Sequence, residues 1–457
     1  MLPHGVRFPN PSARLTSFAS PEHAKDVGAD GRIPSVDGLR GVAILLVLLL
    51  HFTIYGFDRP SGGVLKLVYR TLETGWIGVD LFFVLSGFLI TGILRRTKGR
   101  EAYFSRFYIR RTLRIFPLYF GVLFISTVVL PLMFADNVRF HGWAEQGIWY
   151  WTYTANVMVA RHGWNAASVQ GLDHFWSLAI EEQFYLVWPL CVYLLDRRRL
   201  LLLCGLTMIV SFGVRVAFNL LGNPLAAYVL TPARLDALVV GAAVALLAAD
   251  EGGLSALRGL AWRVAVLSAL VFTAIAACRF TANPNDLVIQ TLGYSTIAIM
   301  FGAWLVIALS NGRTHVALST RPLRLLGRYS YGLYVFHHPV LFVLPPASVA
   351  LALQQTLGIS LLARPLALAL VAGVCFAMAA SSWHLFEQPI LNLRERSGRH
   401  GPRGAGRPPT SVSGSEYGVR VDHIGQSEYG DAPTHILTGA RASDGHRSDS
   451  VKSCTEY

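Results

Sequence analysis

The sequence predicts an all-α polytopic membrane protein, a bundle of about ten transmembrane helices with both termini in the cytoplasm. Three observations carry this prediction. Of 457 residues, 53% are hydrophobic and only 15% charged, unlike an ordinary soluble domain. Apolar segments long enough to span a bilayer recur near 37–57, 75–94, 112–134, 174–195, 200–220, 226–249, 261–280, 287–309, 329–350 and 362–386. Basic residues gather in alternate loops (Arg95 to Arg114, Arg197 to Arg199, Arg258 to Arg263, Arg313 to Arg328), while 221–232 and 351–360 hold almost none. That alternation is the positive-inside pattern and sets the orientation. It also argues against nucleic acid as the partner of the +13 net charge. The loop 58–74, with Arg59, Lys66 and Arg70 on the expected outer side, runs against the pattern.

Residues 1–32 are polar and contain no apolar run, so they read as a flexible cytoplasmic N-terminus without a cleavable signal. The membrane domain is expected over 33–390. Residues 391–457, rich in Gly, Ser, Arg and Pro, read as a disordered cytoplasmic tail containing a twofold SEYG repeat at Ser415 and Ser427. Two copies cannot make a solenoid. The aromatic stretch 145–160 is too short for a confident span and suits an interfacial belt. The five cysteines have neither paired nor metal-like spacing, so no disulfide and no metal site are expected.

The first span, IPSVDGLRGVAILLVLLLHF, carries Arg40 near its start and His51 far inside it. Eleven residues is about three helical turns, so the two side chains leave one face roughly 16 Å apart. An ionisable group inside a span is by default functional, with an interhelical hydrogen bond as the plain alternative. Arg106, Arg110 and Arg114 repeat every four residues, and Arg111 and Arg114 form an i, i+3 pair. Such a cluster either anchors anionic headgroups or clamps a phosphorylated ligand, because guanidinium matches phosphate bidentately.

The segment DHFWSLAIEEQFYLVWP aligns His174, Ser177, Glu181 and Tyr185 near one helical face. Glu181 and Glu182 must face protein or water. A Ser177–His174–Glu181 triad is rejected, because one helix face cannot produce its sequential contacts. Counting rise along each span puts Asp80, His51 and Glu181 in one layer of the outer half of the membrane. Either carboxylate is then placed to orient His51 as a general base. Arg234 and Asp236, two residues apart, need partners on other helices. His337 and His338 fall about 12 Å from the cytoplasmic end of their span, which places them along the path between Arg40 and His51.

Together DGLRGVAILLVLLLHF, GVDLFFVLSGFLIT, FYIRRTLRIFPLY, FWSLAIEEQFYLVWP, RLDALVVG and GRYSYGLYVFHHP resemble acyltransferase family 3, the integral-membrane acyl-CoA-dependent O-acyltransferases, over roughly 33–390. The resemblance implies transfer of an acyl group, usually acetyl, from cytoplasmic acyl-CoA to a sugar hydroxyl. The acceptor would be a surface glycan, a lipid-linked glycan or a glycosylated small molecule. It implies that Arg40 and His51 match the family's arginine–histidine motif, with His51 the base or the acyl acceptor. Arg111 and Arg114, with Arg110 beside them, match its arginine motif, and Ser177, Leu178 and Glu181 its SLxxE motif. Glu181 and Asp80 are then catalytic candidates. Ser177, Glu182, Arg234, Asp236, His337 and His338 remain for the acceptor or for polar contacts between helices. No bound cofactor or metal is implied, acyl-CoA being a substrate, and the expected location is the cell membrane. With no further folded domain visible, the chain resembles the stand-alone members. Two other readings stay open: a proton-coupled transporter, which buried ionisable groups would suit, and a non-catalytic protein that binds or flips a glycan lipid.

Overall fold

The computed structural model describes residues 33–134, 143–167, 171–248, 253–310, 312–358 and 360–391. Among them the regular structure is entirely helical. In chain order the helices are α1 (Pro34–Gly56), α2 (Gly63–Glu73), α3 (Ile77–Thr97), α4 (Tyr103–Phe124), α5 (Leu130–Met133), α6 (Trp143–Trp151), α7 (Ala155–Ala167), α8 (Phe175–Leu194) and α9 (Arg197–Leu220). They continue with α10 (Pro224–Val229), α11 (Thr231–Leu247), α12 (Gly253–Cys278), α13 (Tyr294–Leu309), α14 (Arg313–Leu318), α15 (Arg321–Val343), α16 (Pro346–Leu357) and α17 (Ser360–Ser382).

Among the described residues, eight helical stretches are long and apolar enough to cross a membrane, or nine if α15 and α16, bent by 53° at their junction, count as one span. The sequence expects ten. The difference is α8, whose 20 residues include Glu181, Glu182 and Gln183, a polar triplet that lowers its mean hydropathy. The expected tail and N-terminus lie outside the described residues.

The bundle is held close by small residues. Helix α1 packs on α15, where a Cβ on Gly327 would lie 1.8 Å from the Asp37 carbonyl oxygen. Helix α3 packs on α11 in the same way: Gly87 meets the Leu238 carbonyl and Gly241 the Val84 carbonyl, each within 2 Å of an added Cβ. Two ion pairs lock these layers. Arg234 Nη2 lies 2.8 Å from Asp80 Oδ1, joining α11 to α3, and Arg215 Nη1 lies 2.8 Å from Asp236 Oδ2, joining α9 to α11. All four side chains are buried.

The anomalous loop 58–74 contains the amphipathic helix α2. Val64, Leu65 and Leu67 are exposed on it, as suits a helix lying in a bilayer interface. Its basic residues are engaged: Arg59 donates to Glu73 Oε1 at 2.6 Å and Arg70 to the Phe280 carbonyl at 3.3 Å. The aromatic stretch 145–160 departs from a belt. Tyr150 and Tyr153 are buried, and Tyr153 stacks on Tyr119 of α4 with ring centroids 4.2 Å apart. Gln183 fixes α8 beside this region, donating to the Tyr153 carbonyl at 2.9 Å and to Asn156 Oδ1 at 3.1 Å, while the Thr231 hydroxyl donates to Gln183 Oε1.

Candidate active site

Three arginines chosen from the sequence line one cavity. It has a volume of about 250 Å³ and is walled by α1, α3, α4, α8 and α15, with Arg40, Arg111 and Arg114 alongside Glu181 and Glu182. The i, i+3 spacing explains why Arg111 and Arg114 turn inward together. Arg110 is not among the lining residues. The Arg111 guanidinium lies 4.1 Å from the centre of the Tyr185 ring, a cation–π contact that holds it over the cavity. Arg111 and Arg40 both lie within electrostatic reach of Glu181.

Glu181 is held on both oxygens. Ser86 Oγ donates to Oε1 and Tyr185 Oη to Oε2, each at 2.8 Å. Glu182 also faces the cavity, and its Oε1 is buried without a hydrogen-bond partner. Ser177 and Tyr334 also line the cavity. Their hydroxyl oxygens are 2.5 Å apart and each lies 3.1 Å from the His174 carbonyl oxygen; with one hydrogen apiece, one hydroxyl donates to the other and the second donates to that carbonyl. Glu181 and Ser177 therefore have separate partners, and no triad forms.

Behind Tyr334 lies a cluster of four imidazoles, His51, His174, His337 and His338, which the sequence reading names separately but does not group. His51 meets His337 and His338 edge-on, each with ring centroids 4.9 Å apart. His174 is 4.8 Å from His337 and 5.1 Å from His338. The Tyr334 ring touches this group, 5.2 Å from His174 and 5.6 Å from His337. Neither His51 nor the other three histidines are among the described residues that line the cavity. Tyr334 is thus a partition between the arginine cavity and the histidines.

Backbone carbonyls assign three of the tautomers. His51 Nδ1 is 2.9 Å from the Val47 carbonyl, His337 Nδ1 is 2.7 Å from that of Tyr334, and His338 Nδ1 is 2.9 Å from that of Gly171. A carbonyl oxygen only accepts, so each Nδ1 carries the hydrogen and each Nε2 keeps a lone pair. The His338 lone pair accepts from the Tyr55 hydroxyl at 3.2 Å. His337 Nε2 and both nitrogens of His174 are buried without a partner. Among the described residues no three His, Cys, Asp or Glu side chains are arranged to hold one metal ion.

This geometry redraws several expectations. Asp80 does not orient His51; it is held by Arg234, whose guanidinium also lies 4.2 Å from the centre of the Tyr294 ring. Arg234 and Asp236 serve the interhelical ion pairs rather than the cavity. His337 and His338 lie beside His51 rather than below it. Helix α15 starts at Arg321, eight residues before the expected span, which raises both histidines by about 12 Å. Tyr334, Ser86 and Tyr55 are not singled out by the sequence reading, and His174 is read there only on the Ser177–Glu181 face, not beside His51. Only Tyr334 had a signal, its i, i+3 spacing to His337. In the loop before α8, burial pushes the Asp173 carboxyl up to about 6.

Comparison with known proteins agrees with the sequence motifs. A family model described as an acyltransferase domain matches residues 33–383. YrhL of Bacillus subtilis, whose name assigns it provisionally as a peptidoglycan O-acetyltransferase, is 31% identical over 389 residues, covering 80% of this chain and 56% of that protein. The peptidoglycan O-acetyltransferase OatA of Listeria monocytogenes is 29% identical over 69% of this chain and 50% of its own length. The O-acetyltransferase OatA of Staphylococcus aureus is 28% identical over 68% and 50%. The chain spans about half the length of these curated relatives. No solved structure matches it. On the family model and the motif set, the chain belongs to the acyltransferase-domain family of multi-pass membrane proteins.

Proposed function

We propose that this chain transfers an acetyl group from cytoplasmic acyl-CoA to a hydroxyl of a cell-envelope glycan, with peptidoglycan the first acceptor to try. The observation that carries this reading is that Arg40, Arg111 and Arg114 share one cavity whose far wall, Tyr334, also touches the His51 cluster. Three guanidinium groups suit the phosphates of the CoA nucleotide. The apolar side chains of α1 and α3 that line the cavity, such as Val36, Phe82 and Leu89, suit the pantetheine arm. His51, with a lone pair on Nε2, supplies the base or nucleophile at the thioester. The named activities of YrhL and the OatA proteins support acetyl as the group and a wall glycan as the acceptor.

In this reading α8 is the tenth span and both termini lie in the cytoplasm of a cell whose plasma membrane holds the protein. The donor enters from the Arg40 end and the acceptor from the histidine end. The two ends of the site then correspond to the two sides of the membrane.

The test is acylation of wall glycan by mass spectrometry, in cells lacking the native gene and expressing either the wild type or His51→Ala. Acetylated glycan with the wild type and none with a correctly inserted variant is expected. Full acetylation by His51→Ala removes the reading.

A further inference from the structure

Four imidazoles are more than one base requires, and their hydrogen bonds differ. His51 has its Nδ1 hydrogen on the Val47 carbonyl. If Nε2 of that ring accepts an acyl group, no lone pair remains on it to deprotonate an acceptor. A second base in contact is then needed. His338 is unsuited, because its Nε2 already accepts from Tyr55. His337 is suited: its Nδ1 is tied to backbone carbonyls, its Nε2 is buried without a partner, and its ring touches that of His51. Its side chain is fully buried.

Resting on the acyl-transfer reading above, we propose that His51 and His337 divide the reaction: His51 carries the acyl group and His337 takes the proton of the acceptor hydroxyl. In the first half, His51 Nε2 attacks the thioester carbonyl; the N–C bond forms, the C–S bond breaks and the thiolate leaves. The acylated ring keeps its Nδ1 hydrogen and is positively charged. In the second half, the acceptor oxygen attacks the acyl carbon while its proton passes to His337 Nε2. The O–C bond forms, the C–N bond breaks and His51 is restored. The proton held by His337 balances the one the thiolate takes up to become CoA thiol. His174, 4.8 Å beyond His337 with both nitrogens unpartnered, lies where the acceptor or the departing proton meets the cluster.

The experiment uses the full-length protein purified in detergent, radiolabelled acetyl-CoA, and a soluble peptidoglycan disaccharide as acceptor. Wild type is expected to take label on the peptide containing His51 and to pass it to the disaccharide. His337→Gln is expected to take label normally but to transfer it at least about 100-fold more slowly, the scale of a lost general base, so labelled enzyme accumulates. Normal labelling also shows that the variant is folded. His51→Gln is expected to do neither. Transfer by His337→Gln within about threefold of wild type overturns the division of labour. So does wild-type transfer with no labelled enzyme in rapid quench, or loss of labelling in His337→Gln. If wild-type protein neither labels nor transfers from acetyl-CoA, the broader functional reading falls as well, and that result is distinct from the others.

Discussion

The hydroxyl of Tyr334 lies 2.5 Å from that of Ser177, and this contact holds the tyrosine ring between the arginine cavity and the histidine cluster. On the proposed reading, a thioester seated in the cavity would have to pass that ring to reach His51. Tyr334→Phe and Ser177→Ala each remove the contact while leaving most of the packing. Both are expected to raise acetyl-CoA hydrolysis without acceptor severalfold, because loss of one hydrogen bond is worth about 1 kcal/mol, or roughly fivefold. Thiol release followed with a chromogenic reagent checks this; hydrolysis unchanged in both variants would remove the gating role.

Arg111 is set over the Tyr185 ring and faces the cavity, whereas Arg110 does not line it. Losing a charge-assisted contact to phosphate costs about 1.5–3 kcal/mol. Arg111→Ala should therefore raise the KM for acetyl-CoA roughly 10- to 100-fold, and Arg111→Lys should recover little of it. Arg110→Ala should stay within about twofold. Steady-state kinetics on purified protein separates the two positions.

The Arg234–Asp80 pair is buried on both sides. Removing one partner strands a charge, at a cost of about 3–5 kcal/mol. Asp80→Leu and Arg234→Met should each lower the unfolding temperature in detergent markedly, and the double variant should be more stable than either single one. If the singles and the double add as independent sites, the pair is not a stability element.

Gly87 and Gly241 let α3 and α11 approach to backbone contact. Gly87→Leu has no room for its Cβ, since the obstructing atom is the Leu238 carbonyl oxygen. Destabilisation by more than about 3 kcal/mol is expected, beyond the usual range for a point change. Gly205, with open space around its Cβ position, is the matched control. Fluorescence-detected size-exclusion chromatography after heating compares the two; equal survival contradicts the packing account.

Asp173 titrates high because it is buried, its folded value near 6 standing above the ordinary 3.8. A raised carboxyl binds its proton more tightly in the folded state, so its contribution is fully present below pH 3.8 and is lost as pH rises through 6. Wild-type stability should therefore decline across that window. Asp173→Asn should flatten the decline and gain about 1–3 kcal/mol at pH 7. Unfolding temperatures recorded from pH 4 to 8 test the sign.

Much of this site was legible because helices translate spacing into direction. Arg40 and His51 fall on one unbroken helix, α1, so their separation along it follows from counting alone. Arg111, Arg114 and Glu181 were named for the same reason, and all three line the cavity. What failed was azimuth and origin. Rise along a span gives Asp80 a height but not a heading, and its heading is toward Arg234. Hydropathy also misplaced the start of α15, because its first turns carry Arg321, Arg324 and Arg328. The Tyr334 partition and the tautomers depend on contacts between residues far apart in sequence, such as Gly171 with His338. No local pattern encodes those.

Helix α8 supplies Ser177, Glu181, Glu182 and Tyr185 to the cavity, yet it falls short of the hydropathy of a self-sufficient span. Its carboxylates become tolerable in a bilayer once Ser86, Tyr185 and Arg111 surround them. On the proposed reading of α8 as a span, its integration during synthesis is tied to α3 and α4, which are made first and carry Ser86 and Arg111. Assembly of the catalytic pocket and insertion of the chain become one event. Loss of a Glu181 partner such as Ser86 is then expected to lower the yield of inserted protein as well as activity.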